Sequence, residues 1–179
     1  MKTNWWRRNR WGTLLLVPAL VAAFYSPVKD LYSSYWQGMP HRAVTGSPGG
    51  WVGFAGSRMR LEQLAVAHGL QDFLGEPIVI PAGTQAWQAT IDFDTPKVSL
   101  IEDCRVYLEA ADGQTFSAGA PELKGLDSPV DYCTPPDLDT KSGTFQTVAV
   151  FLLPRDARPV ALQVTLTTRM PAYARLTPP

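Results

Sequence analysis

Two patterns divide the chain. Residues Gly12–Val28 form a run of 17 residues without charge, whereas beyond Trp51 apolar and polar positions alternate in short stretches. The first pattern predicts a membrane-crossing helix, at the lower limit of the roughly 20 apolar residues that about 30 Å of hydrocarbon requires. The second predicts strands with one buried face. Arg58–Glu62 alternates polar and apolar, and Trp87–Asp94 does so throughout. In the run from Cys104 to Ala111, Val106, Leu108 and Ala110 point one way while Tyr107 and Glu109 point the other. Phe145–Leu153 and Val160–Thr168 are the longest strand candidates. Asp112-Gly113 predicts a type I′ hairpin turn, both residues accepting positive φ. Pro154–Pro159 predicts a second hairpin with both prolines outside the ladder. Leu64–Leu74 allows one short helical turn, weakened by Gly69 and Gly75.

Roughly seven strands with regular turns predict an all-β fold, a β-sandwich preceded by a single N-terminal transmembrane helix. Spacing alone leaves an eight-stranded barrel open. The expected divisions are a cytoplasmic basic stub at 1–10, the anchor and its outer interface at 11–36, a linker at 37–50 and an extracytoplasmic sandwich at 51–179. The linker, rich in Gly and Pro, reaches at most about 45–50 Å when fully extended.

Charge refines the membrane end. The 16 Lys+Arg balance the 16 Asp+Glu, but Lys2, Arg7, Arg8 and Arg10 crowd the first eleven residues. The remaining residues carry 12 basic and 16 acidic groups, net −4. Inner positives predict a cytoplasmic N-terminus and a translocated body. Trp5, Trp6 and Trp11 flank the inner end, and Tyr25, Tyr32, Tyr35 and Trp36 the outer one, where aromatic rings sit at headgroup level. Such belts favour a retained anchor in the cell membrane over a cleaved signal peptide with Val21-Ala22-Ala23 as its site. The twin arginine lacks the hydrophobic residue that a Tat signal expects, and no lipobox cysteine follows the apolar run. The acidic body also lacks the basic footprint that nucleic-acid binding requires.

Candidate chemistry is sparse. Cys104 and Cys133 are the two cysteines, and in an oxidising compartment an even pair predicts a disulfide worth roughly 3–4 kcal/mol. Neither a CxxC motif nor a neighbouring His41 or His68 favours a metal or redox pair. Asp92 with Asp94, Glu102 with Asp103, and Asp137 with Asp139 form carboxylate pairs. On a strand Asp92 and Asp94 share one face, which is compatible with calcium or acid–base chemistry, although a solvated strand end is the preferred reading, since neither spacing carries the Gly and Glu of an EF-hand loop. No GxSxG, HExxH or Walker-type loop is present, so the expectation is a protein that is not an enzyme and needs no cofactor or metal. Trp51, Trp87 and Tyr132 are candidate stacking rings, whose ordinary alternative is core packing.

Several motifs recur in one order: Trp87–Asp94, the CxVxLEAxDGxxF stretch from Cys104 to Phe116, Cys133-Thr134-Pro135, the FxxVAVFLLP stretch from Phe145 to Pro154, and the closing Val164 to Leu176. Together they resemble the extracytoplasmic immunoglobulin-like domains carried by small actinobacterial membrane-anchored proteins and lipoproteins. The resemblance covers about half the chain. It implies an immunoglobulin-like sandwich used as an adhesion or accessory module, with no catalytic residues to carry over. The leading expectation is an accessory or interaction subunit of a cell-envelope membrane complex, held in the lipid bilayer and contacting another envelope or membrane protein. The alternative is an envelope module that binds an ion, glycan or small molecule without catalysis.

Overall fold

The computed structural model of the chain describes residues 5–123, 125–126, 132–137 and 139–179, with side chains described at all of these except 5–8, 13, 17, 24, 26 and 27. The chain separates into two units, Met1–Met39 and Pro40–Pro179.

The first unit is one helix, α1 (Trp5–Gly38). At 1.5 Å per residue it is about 50 Å long. It runs through Pro18 and Pro27 and past Lys29 and Asp30, two residues beyond the expected limit at Trp36. Its Asn9–Gly38 portion is long and apolar enough to cross a membrane by length and composition, with a mean hydropathy of 1.6 in its most apolar window. Trp11, Tyr25, Tyr32, Tyr35 and Trp36 are exposed along it. The Arg10 guanidinium lies 5.8 Å from the Trp11 ring. Tyr32 and Trp36, one turn apart, meet edge to face at 5.9 Å. The expected roles of Lys2 and of the Trp5, Trp6, Arg7 and Arg8 side chains fall outside the described residues.

The second unit is a sandwich with nine strands among the described residues, rather than roughly seven: β1 (Arg42–Thr45), β2 (Val52–Phe54), β3 (Ser57–Val66), β4 (Thr84–Thr95), β5 (Cys104–Ala110), β6 (Thr115–Ser117), β7 (Gly143–Pro154), β8 (Pro159–Leu166) and β9 (Ala172–Leu176). One sheet has the order β1-β9-β8-β5-β6 and the other β2-β3-β4-β7. All neighbours are antiparallel except β1, which runs parallel to β9. The inner faces supply one core. Val106, Leu108, Leu162, Val164, Leu166, Ala174 and Leu176 meet Met59, Leu61, Ile91, Phe93, Ala149, Phe151 and Leu153, all at most 2% exposed. Such alternation buries every second side chain and leaves its neighbours for the two outer faces.

The registers place the connections 96–103 and 167–171, together with the entry of the chain into β1, at one end of the sandwich. The connections 67–83, 111–114 and 155–158 lie at the other. Ser57 and Thr95, both buried, are paired with each other. Thr95 Oγ1 donates to the Lys97 carbonyl at 2.8 Å, so Ser57 is the donor in its 2.7 Å bond to Thr95.

Four expectations are corrected. The stretch 37–50 holds the end of α1 and strand β1. Leu64–Val66 form no helix, because past a bulge between Leu61 and Gln63 they continue β3 in register with Ala89, Gln88 and Trp87 of β4. Of the Asp112-Gly113 pair, only Gly113 has positive φ, +85°. The Ala110 N–H bonds to the Gln114 carbonyl, giving a three-residue loop in place of the two-residue type I′ turn. Pro154 and Pro159 lie within the ladder, at strand termini where a missing N–H is tolerated.

Candidate functional site

The outer face of the four-stranded sheet carries a ladder of charge. Arg58 and Arg60 alternate along β3, and Asp94 and Asp92 stand directly opposite on β4. Arg58 bonds Asp94 through both Nε and Nη2. Arg60 bonds Asp92 at 2.9 Å through Nε and at 2.8 Å through Nη2, and Nη2 also reaches Glu62 at 2.9 Å. Gln146 on β7 donates to Asp92 at 2.8 Å. Trp51, which precedes β2, lies against both guanidiniums, 5.6 Å from Arg58 and 5.1 Å from Arg60. Cation–π attraction and hydrogen bonding thus use the same two arginines.

The outer face of the five-stranded sheet carries a second network. Arg175 on β9 reaches over β8 to Glu109 on β5 with two bonds, 2.8 and 2.9 Å, and Gln163 on β8 donates to the same carboxylate at 3.0 Å. The Arg175 bonds hold the Glu109 carboxyl below the usual range, against desolvation that raises it. Hydrogen bonding to Glu109 raises Arg175 in turn. Tyr173 is pushed up chiefly by burial and then by the Glu109 charge.

A third feature departs from both sheets. Residues 67–80 leave β3, fold over the outer surface of the four-stranded sheet and return to β4. Leu70, Ile78 and Ile80 pack with Leu126 around Ala86, Leu123 and Val150, a small cluster separate from the main core. At the tip Asp72–Glu76 forms a closed turn. Asp72 Oδ1 accepts the N–H groups of Leu74 and Glu76, each at 2.8 Å. The Asp72 N–H donates to the Glu76 carbonyl at 2.9 Å, and the Phe73 N–H to the Gly125 carbonyl at 2.8 Å. Gly75 takes φ +86°, a value that glycine adopts without steric cost. Beside the exposed Gln71 and Glu76, this frame displays three large apolar side chains: Phe73 is 72% exposed, Leu74 74% and Val79 84%.

The predicted site residues are distributed as follows. Cys104 and Cys133 are joined, with Cα atoms 6.0 Å apart, and both are buried. Asp92 and Asp94 share a face as expected, but arginines satisfy them, and no group of three or more metal-ligating side chains occurs among the described residues. Glu102 and Asp103 are exposed in the turn before β5. Asp137 Oδ1 accepts the Asp139 N–H at 3.0 Å, a local turn bond. His41, whose N–H bonds the Pro171 carbonyl, and His68, just beyond β3, lie at opposite ends of the sandwich. The three candidate rings do not share a surface. Trp51 is on the charged outer face, whereas Trp87 and Tyr132 pack against the core. The buried Trp87 Nε1 has no partner among the described residues. Tyr132 also lines a depression of about 710 Å³ with Arg105, Tyr107, Thr167 and Thr168.

No protein-family model matches the sequence, and no curated protein matches it. Among solved structures, the chain is similar to the crystal structure of an uncharacterized β-sandwich protein from Clostridium difficile 630. The match has 11% sequence identity and a TM-score of 0.42, and it covers 78% of this chain and 96% of that one.

Proposed function

We propose that the chain is a single-pass protein of the cell membrane, its N-terminus cytoplasmic, whose extracytoplasmic immunoglobulin-like domain serves as an accessory or interaction subunit of an envelope membrane complex. The anchor reading is supported by the 34 residues of α1 and the basic residues at its start. The translocated position of the sandwich is supported by the Cys104–Cys133 bridge, a bond characteristic of oxidising compartments. Strand order supports the immunoglobulin-like reading. β3, β4 and β7 take the places of strands A, B and E, while β5, β6, β8 and β9 take those of C, C′, F and G. The bridge departs from that frame, since it ties the start of β5 to the β6–β7 connection instead of joining B to F.

The observation that carries the interaction role is the display of Phe73, Leu74 and Val79 on an ordered excursion. Exposed apolar side chains grouped on a fixed frame mark sites of association, whereas singly scattered ones do not. The glycan-platform alternative is less well supported, because guanidiniums lie against the Trp51 ring and neither Trp87 nor Tyr132 shares its face. Recovery of the tagged full-length chain in mild detergent, followed by peptide identification, tests the role. A reproducible membrane or envelope protein partner is expected, and repeated recovery of the chain alone would overturn it.

A further inference from the structure

We infer that the Asp72–Glu76 turn is the docking element of the sandwich, and that its occupant is a protein presenting an apolar pocket rimmed by basic side chains. The inference rests on the interaction role proposed above and specifies where and with what chemistry the partner is held. Phe73 and Leu74 are adjacent at the tip of a turn whose backbone is already fixed by the Asp72 carboxylate and by the bond to Gly125. Little backbone freedom is left to lose on binding, which is the condition under which a small apolar anchor gives useful affinity. The underside is fixed as well, by Leu70, Ile78 and Ile80 in their own buried cluster. The two exposed anchors are not members of that cluster.

Charge decides the class of occupant. The described residues of the two segments that build this surface, 67–83 and 118–126, carry Asp72, Glu76 and Glu122 and no Lys or Arg. Lys124 lies outside the described residues. A net negative rim disfavours an anionic lipid surface, which attracts Lys- and Arg-rich segments, and favours a protein pocket bordered by cations.

The test uses the full-length chain in its native envelope, with the photocrosslinker p-benzoylphenylalanine in place of Phe73 or Leu74 and, as a control, of Val148 on the sheet. The expected result is one discrete protein adduct from positions 73 and 74 and none from 148, with the crosslinked peptide lying in an apolar pocket flanked by Lys or Arg. Glu76→Lys should reduce the adduct at least about tenfold. Phe73→Ser with Leu74→Ser should weaken recovery of the same protein about 30-fold or more, the effect of losing an interface anchor. Both variants should keep the wild-type melting temperature, because these side chains are exposed. Adducts with lipid alone, adducts between two copies of the chain, or an adduct insensitive to Glu76→Lys would each overturn the inference. A partner still recovered at full yield by the double serine variant would overturn the turn's role while leaving the interaction role intact. Absence of any partner in the wild type would overturn the interaction role itself, and the docking element with it.

Discussion

Replacing Glu109 by Gln removes one charge from the most enclosed ion pair among the described residues of the sandwich. The Glu109 side chain is 17% exposed and that of Arg175 28%. The carboxylate accepts three bonds, two from Arg175 and one from Gln163. A glutamine there keeps one acceptor and turns an NH₂ group toward donors, so at least one bond is lost. Bonds to charged groups contribute about 1.5–3 kcal/mol net, and fully exposed pairs about 0.2–1 kcal/mol. With the pair partly screened by solvent, Glu109→Gln should cost about 2 kcal/mol, or roughly 4–8 °C in Tm for a domain of this size. Residues 40–179 form their own compact unit, so urea unfolding of that fragment is a suitable assay. A cycle of Glu109→Gln, Arg175→Met and the double variant should give a coupling of about 1–1.5 kcal/mol at neutral pH. Its pH dependence has a definite sign. The folded Glu109 pKa is lowered, chiefly by the Arg175 bonds, below an unfolded value of about 4.3. The unfolded chain therefore binds the proton more readily, so the contribution is complete above the unfolded pKa and is lost as pH falls through the folded one. A coupling within about 0.3 kcal/mol of zero at neutral pH, or one undiminished at about pH 2, would refute the reasoning.

The Cys104–Cys133 bridge spans 29 residues of sequence, and Cys104→Ala with Cys133→Ala should lower stability by about 3.5 kcal/mol on the loop-entropy account, measurable by thermal unfolding. Maleimide should label the native chain only after denaturation with reductant; labelling without reductant would show the thiols to be free. Gly49→Ala should cost about 1–2 kcal/mol, because Gly49 has φ +63° and a Cβ there would lie 2.8 Å from Pro179 Cβ. Removing Pro178 and Pro179 from that variant should recover the steric part and leave roughly 1 kcal/mol of backbone cost in the same unfolding assay.

What could be read in advance follows from which signals are local. Period two in β4, β5, β7 and β8 was legible because each of these strands buries alternate side chains in the core. β1 was not, because all four of its residues are exposed and its partner β9 is 130 residues distant, Arg42 facing Ala172. The alternation of Arg58–Glu62 breaks at the bulge beside Glu62, which separates the inward Leu61 and Leu64 by three residues, so the continuation of β3 through Leu64–Val66 carried no clean period-two signal. Arg58-x-Arg60 and Asp92-x-Asp94 were both visible as alternations. Their pairing depends on register between strands, which neither stretch encodes by itself. For the Asp72–Glu76 turn a signal was available in the adjacent Phe73-Leu74-Gly75, but exposure, the property that matters, is set by packing beneath the turn.

The two kinds of surface differ in what binding would require. On the sheets, Asp92, Asp94 and Glu109 already have arginine partners, and Trp51 already has two guanidiniums against its ring. A polar ligand arriving there would exchange existing charge-assisted bonds for new ones, with little net gain unless it matched several at once. The excursion between β3 and β4 asks for no such exchange. The Asp72 carboxylate is engaged within the turn, while Phe73, Leu74 and Val79 face water beside the exposed Glu76. Burying Phe73 and Leu74 in a partner gains transfer free energy from the first contact, on the order of 25 cal/mol per Å² of apolar surface removed from water. The charged ladders are therefore best understood as groups that keep both outer faces soluble and in register. On the segment that has left the sheet, by contrast, burial of Phe73 and Leu74 would remove apolar surface from water without breaking an existing ion pair.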